Sequence, residues 1–247
     1  MPFSDEALAR LRADAADIVG RYPRSRSALL PLLHLVQSEE GYVSEDGIRF
    51  CAETLGCTET EVAGVATFYT MYKRSPAAEY QIGVCTNTLC AIMGGDQIFA
   101  ELAQHLGADP RAHDDGEHHD IVSADGTVGL ERVECNAGCD YAPVVMVNWE
   151  FFDNMTPESA KKLVDDLRAG DKVTPSRGPG RLCTWKQASR ILAGFGDGQA
   201  TDGPSAGPAS LVGLKLAREH GWSAPAPQGP ARGSGGSSPR ASRSEPK

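Results

Sequence analysis

Seven cysteines, at positions 51, 57, 85, 90, 135, 139 and 183, occur in this 247-residue chain, and four of them form two pairs. Cys85-Thr-Asn-Thr-Leu-Cys90 reads C-x4-C and Cys135-Asn-Ala-Gly-Cys139 reads C-x3-C. Soft thiolate ligands suit iron–sulfur clusters or zinc. Structural zinc sites usually use C-x2-C, although spacings up to C-x4-C occur. A [2Fe–2S] rhomb has two irons, so each pair can hold one iron, and C-x4-C occurs in plant-type ferredoxins. The spacing favours iron–sulfur and leaves zinc open. No histidine lies near either pair, which disfavours Rieske ligation. Disulfides within the pairs are rare in a reducing compartment, and an odd cysteine count does not complete a framework. A thiol–disulfide enzyme would want C-x-x-C at a helix start, and this sequence has none.

The elements that must position these thiols follow from periodicity. Leu8, Leu11, Ala15, Ile18 and Val19 recur at helical spacing until GRYPRS stops them. Ala28 to Glu40 repeats the pattern and Gly41 ends it. Ser44 before Glu45 and Asp46 reads as an N-cap with acidic first-turn residues, and Thr58-Glu59-Thr60-Glu61 opens a fourth helix. Tyr80 to Val84 then reads as a strand running into Cys85, Ile92 to Leu106 as a helix, and Ile121-Val122, Leu130 to Val133 and Val144 to Val147 as strands. Pro157 to Ala169 closes the series as a helix with proline in its first turn. Both cysteine pairs are thus expected where strands end. The order β-α-β-β-α fits an α+β sandwich of thioredoxin type.

We expect a helical domain over 1–75, a thioredoxin-like domain over 76–170, a linker and extension over 171–222, and a disordered tail over 223–247. SRGPGR reads as the linker, while Thr184 to Phe195 and Leu211 to Glu219 read as amphipathic helices. From Ser223 to Lys247, 15 of 25 residues are Pro, Gly or Ser, too few apolar groups to offset ordering entropy.

The net charge of -9 divides unevenly. Residues 1–170 hold 13 Lys+Arg against 28 Asp+Glu, and residues 171–247 hold 11 against 5. An acidic body argues against nucleic-acid binding, which needs a basic face. No apolar run reaches the ~18 residues of a membrane span. An acidic, signal-free N-terminus points to a cytosolic chain. Gly194-Phe-Gly-Asp-Gly198 lacks dinucleotide-binding spacing and follows no strand, so the chain is not expected to bind NADH itself.

Three runs together resemble a known family: HLVQSEEGYVSEDGIRFCAETLGCTETEVAGVATFYTMYKRSP, QIGVCTNTLC and VECNAGCDYAPVVMVN. They are similar to the thioredoxin-like [2Fe–2S] subunit (the E-type subunit) of bacterial NADH:quinone oxidoreductase, respiratory complex I, over about residues 25–170. The resemblance implies that Cys85, Cys90, Cys135 and Cys139 ligate one [2Fe–2S] cluster. It also implies that the helical N-terminus docks on the flavin subunit, which binds NADH and FMN, with the large iron–sulfur subunit as second partner. The cluster would sit beside the flavin and take one electron, at the cytoplasmic side of the inner membrane, with no catalysis by the isolated chain. The same module serves NAD-linked formate dehydrogenases and NAD-reducing hydrogenases, and a zinc-stabilised binding module is the reading from another class.

Other features carry blander expectations. Cys51 reads as core, and His34 as a satisfied core histidine. Phe68, Tyr69 and Tyr72 suit either core or a partner. His113-Asp-Asp-Gly-Glu-His-His-Asp120 reads as a solvated turn, not a metal site.

Overall fold

The computed structural model describes residues 3–109, 121–199 and 201–224. They divide into two units, one running to Ala209 and one starting at Ser210. The expected turn at 113–120 and nearly all of the expected disordered tail lie outside the described residues.

The first unit begins with helices α1 (Asp5–Gly20), α2 (Leu29–Glu40), α3 (Glu45–Leu55) and α4 (Glu59–Phe68). Their starts are capped by local chemistry: the Ser4 and Ser44 hydroxyls accept from the Ala7 and Gly47 amides, and Thr58 with Glu61 forms a capping box. Gly41, at φ +87°, ends α2 in the left-handed region that a side chain would make costly. Leu11, Ile18, Leu32, Leu33, Ile48, Cys51, Val62 and Tyr72 share one core, so Cys51 packs as expected. Phe68 and Tyr69 are exposed while Tyr72 is buried, so the three aromatics divide between surface and core.

The sheet follows. Strand β1 (Tyr80–Cys85) leads to α5 (Thr88–Ile92) and α6 (Gly95–His105), then β2 (Ile121–Val122), β3 (Val128–Val133), β4 (Val145–Val147), β5 (Glu150–Phe152) and α7 (Pro157–Ala169). The strand order is β2-β3-β1-β4-β5. Among the described strands only β1 and β3 run parallel, with Cys85 level with Val133. Ile82, Val84, Leu130, Val145 and Val147 pack from the sheet against Ile98, Phe99 and Leu102 of α6 and Leu163 and Val164 of α7. The α+β class and the thioredoxin-like fold are as expected from the sequence.

Three local expectations are corrected. The helix expected over Ile92 to Leu106 is two helices, because Gly94 takes φ +115° between them and α5 begins four residues earlier, at Thr88. Strand β5 is absent from the periodicity reading. Its two-residue turn is Asn148-Trp149, with φ of +47° and +76°, and tryptophan is not a turn signal. Asn148 secures that turn: its Oδ1 accepts from the Gln81 amide at 2.9 Å, and its Nδ2 donates to the Cys183 carbonyl at 2.8 Å. His34 is buried, but its Nδ1 has no partner and is not satisfied. Burial pushes its pKa down to about 4, and the neutral ring lies tilted against Tyr72, centroids 4.8 Å apart.

After α7 the chain returns to its beginning. Helix α8 (Trp185–Leu192) lies on α2, where the buried Trp185 Nε1 donates to the Gly41 carbonyl at 2.8 Å. Gln37 Nε2 donates to Ser189 Oγ at 3.2 Å, across 152 positions of sequence. Helix α9 (Pro208–Glu219) matches the second expected extension helix, and its Leu211, Val212, Leu214 and Leu216 are exposed. No helix of the described residues is long and apolar enough to cross a membrane.

Candidate cysteine metal centre

The two parallel strands at the sheet's centre deliver both cysteine pairs to one end. Cys85 is the last residue of β1, and Cys90 is the third residue of α5. Both are buried, 2% and 3% exposed, in a small apolar cluster with Val144 and Met146. Helix α6 presses against them: a Cβ on Gly95 would strike the Cys85 carbonyl oxygen and lie 2.9 Å from that of Cys90. Glycine is needed there for space, so close is the approach of the backbones.

The second pair sits just beyond β3. Cys135 and Cys139 are exposed, and their sulfurs are 3.6 Å apart. Ala137 takes φ +55°, and its amide points to Cys135 Sγ at 3.4 Å. Such a bend turns main-chain donors toward sulfur. Asn136 Nδ2 is out of solvent with no protein partner. A 3-10 turn, Cys139–Tyr141, carries the chain into the cis Ala142–Pro143 bond.

The sulfurs influence one another across the two loops. Burial, then the neighbouring Cys85 and Cys139, push the Cys90 thiol up to about 11, against a backbone hydrogen bond that lowers it. Cys135 first, with lesser contributions that include Cys85 and Asp140, raises the Cys139 thiol. Crowded thiols resist ionisation until a cation joins them, which is what a metal-thiolate group supplies. The thiols stand as two pairs, Cys85 hydrogen-bonded to Cys90 and Cys135 in contact with Cys139. Two pairs, an inward main-chain donor and an orphaned amide fit a two-iron group with bridging sulfide.

All four expected cysteines therefore reach one end of the sheet, while Cys51, Cys57 and Cys183 do not join them. Sequence reasoning missed the residues behind the loops, Gly95 and Arg177. Their signal is three-dimensional, since Gly95 has no left-handed φ and Arg177 lies in the Gly/Pro-rich SRGPGR stretch.

Comparison with known proteins gives the same picture. Residues 15–168 match the family described as thioredoxin-like [2Fe-2S] ferredoxin. The E-type NADH-quinone oxidoreductase subunit of Mycobacterium tuberculosis is 55% identical over 224 residues, which cover 90% of this chain and 85% of that protein. NADH-quinone oxidoreductase subunit 2 of Thermus thermophilus is 35% identical over 164 residues, 65% of this chain and 86% of that one. A solved NAD+-reducing [NiFe]-hydrogenase in the air-oxidized state is similar at a TM-score of 0.48, with 20% identity over 57% of this chain and 23% of that chain. By the family match over residues 15–168 and its identity to these relatives, this chain belongs to the thioredoxin-like [2Fe-2S] ferredoxin family.

Proposed function

We propose that this chain is the thioredoxin-like electron-transfer subunit of a proton-translocating NADH:quinone oxidoreductase, and that Cys85, Cys90, Cys135 and Cys139 hold its one [2Fe–2S] cluster. The observation that carries the reading is the meeting of two cysteine loops at one end of the sheet, in a chain 55% identical to a named subunit of that complex over 90% of its length. When bound, the cluster supplies one-electron acceptance. The chain's own part is to hold and shelter it. Burial of Cys85 and Cys90 keeps water from one pair, while exposure of Cys135 and Cys139 leaves the other edge open toward a partner. The main-chain donor at Ala137 favours added negative charge, whereas Asp140 and the acidic body oppose it.

The partners in this reading are the FMN- and NADH-binding flavin subunit and the large iron–sulfur subunit, on the cytoplasmic side of the membrane. NADH and FMN bind in the flavin subunit, and the isolated chain catalyses nothing. The helical N-terminus is the docking part. Phe68, 78% exposed at the end of α4, and Tyr69, whose ring meets Tyr72 edge-on from the other side, form an exposed aromatic tip.

Iron, zinc and acid-labile sulfide analysis of anaerobically purified protein, with EPR after dithionite reduction, tests the cluster. Two irons and two sulfides per chain with a reduced-state signal are expected; one zinc without sulfide in folded protein would overturn the reading. Phe68→Ser should weaken capture of the flavin subunit without altering the EPR signal, and undiminished capture would remove the docking role of that tip.

A further inference from the structure

The segment after α7 reaches the second cysteine loop through one side chain. Arg177 donates from Nε to Asp153 Oδ2 at 2.9 Å and from Nη2 to Asp153 Oδ1 at 2.7 Å. The two side chains are only 15% and 8% exposed. The guanidinium lies 4.2 Å over the Phe151 ring and 5.6 Å from the ring of Tyr141, two residues past Cys139. On the loop itself, a Cβ at Gly138 would come within 2.8 Å of Arg177 Nη2. Gly138 has φ -95°, which any residue adopts, so crowding reserves that place for glycine: the guanidinium is nearest, with Val144 Cγ2 at 3.2 Å and Phe151 Cε1 at 3.4 Å behind it.

The main chain around Arg177 is fixed on both sides. Ser176 donates its amide to the Phe151 carbonyl at 2.7 Å, and its hydroxyl accepts from the Asp153 amide at 2.8 Å. Gly178 donates to the Pro204 carbonyl at 3.0 Å. Farther on, the Ala209 amide donates to Tyr141 Oη at 3.1 Å, so the segment grips the turn after Cys139 a second time. The fork-on-fork pairing with a carboxylate fixes the guanidinium plane as no lysine could.

We infer that Arg177 is a positioning residue for the Cys135–Cys139 half of the site: anchored to Asp153 and stacked on Phe151, it forms the floor that fixes the loop through Gly138. The exposed loop, without a helix to brace it, takes its rigidity from this contact. The inference rests on the ligand assignment proposed above.

The test uses the full chain with its cluster. Arg177→Gln and Arg177→Lys are compared with the unaltered protein for the rate of iron release to a chelator, the EPR line shape and the reduction midpoint, with circular dichroism monitoring the fold. Loss of a group that supports a metal ligand commonly weakens metal holding by on the order of 10- to 100-fold, and a comparable acceleration of release is expected in both variants. Lysine should fail to rescue, since charge without the fork does not fix the plane. Full rescue by lysine, or release at the unaltered rate with an unchanged EPR line shape in both, would overturn the inference. Gly138→Ala gives the sharper reading: alone it should speed release, and combined with Arg177→Gln it should add less than it does alone, because the nearest obstructing group is gone while Val144 and Phe151 remain. Additive effects would sink the contact as the cause. If Arg177→Gln yields no folded protein, Asp153→Asn keeps the guanidinium but removes its charged anchor, and unchanged release in that variant would equally count against the role. Unaltered protein that purifies without iron and sulfide would defeat the ligand assignment instead.

Discussion

The two cysteine loops reach the same place by different means. The first is built locally: strand, turn and helix follow one another from Tyr80 to Ile92, both sulfurs are buried, and α6 is packed hard against their carbonyls at Gly95. The second is an exposed bend of a few residues, held in shape by a left-handed alanine and by an arginine from a distant segment. A site can thus have one half made rigid by its own secondary structure and one half that borrows rigidity. The borrowed half is open to solvent.

The most damaging change is removal of a ligand. Cys85→Ser and Cys139→Ser should each abolish or strongly distort the visible absorption of the cluster; an unaltered spectrum in either would refute that ligand. Next comes crowding of the first loop. Gly95→Ala sets a methyl against two main-chain carbonyls that have little freedom to move, and should cost about 3 kcal/mol in a denaturation experiment. A cost near zero would mean the first loop is as adjustable as the second.

Acid provides a comparison with the helical core that precedes the sheet. His34 stays neutral in the fold down to about pH 4, whereas the unfolded chain takes up its proton near the ordinary 6.5. The unfolded state therefore binds more protons between those values, and stability falls as pH drops through them. The loss should be about 2 kcal/mol between pH 7 and pH 5. His34→Leu should remove that part of the slope, and an unchanged slope would show that His34 is not its source.

The thiols are legible in the sequence because their spacing is local and strands end just before them. The caps at Ser44 and Thr58 are legible for the same reason, being chemistry within four residues. What stays hidden depends on who meets whom. Strand β5 is concealed by a tryptophan in a turn whose stability comes from Asn148 bonding to residues far away in the chain. Gly94 breaks a helix whose apolar spacing runs straight through it, because periodicity reports faces and not φ. Arg177 sits in a stretch whose composition reads as a linker, yet its neighbours are an aspartate, two aromatic rings and a glycine contributed by β5, the turn after it and the cysteine loop.

The seating of α8 on α2 also bears on the order in which the protein can be made. Synthesis delivers the helices of the N-terminus first, but Trp185, Ala188 and Ala193 complete the surface that α2 must cover. The sheet from Tyr80 to Ala169 leaves the ribosome while that surface is still bare. The part translated first is therefore finished last, and its exposed α2 face must be kept from other chains until residue 193 has emerged.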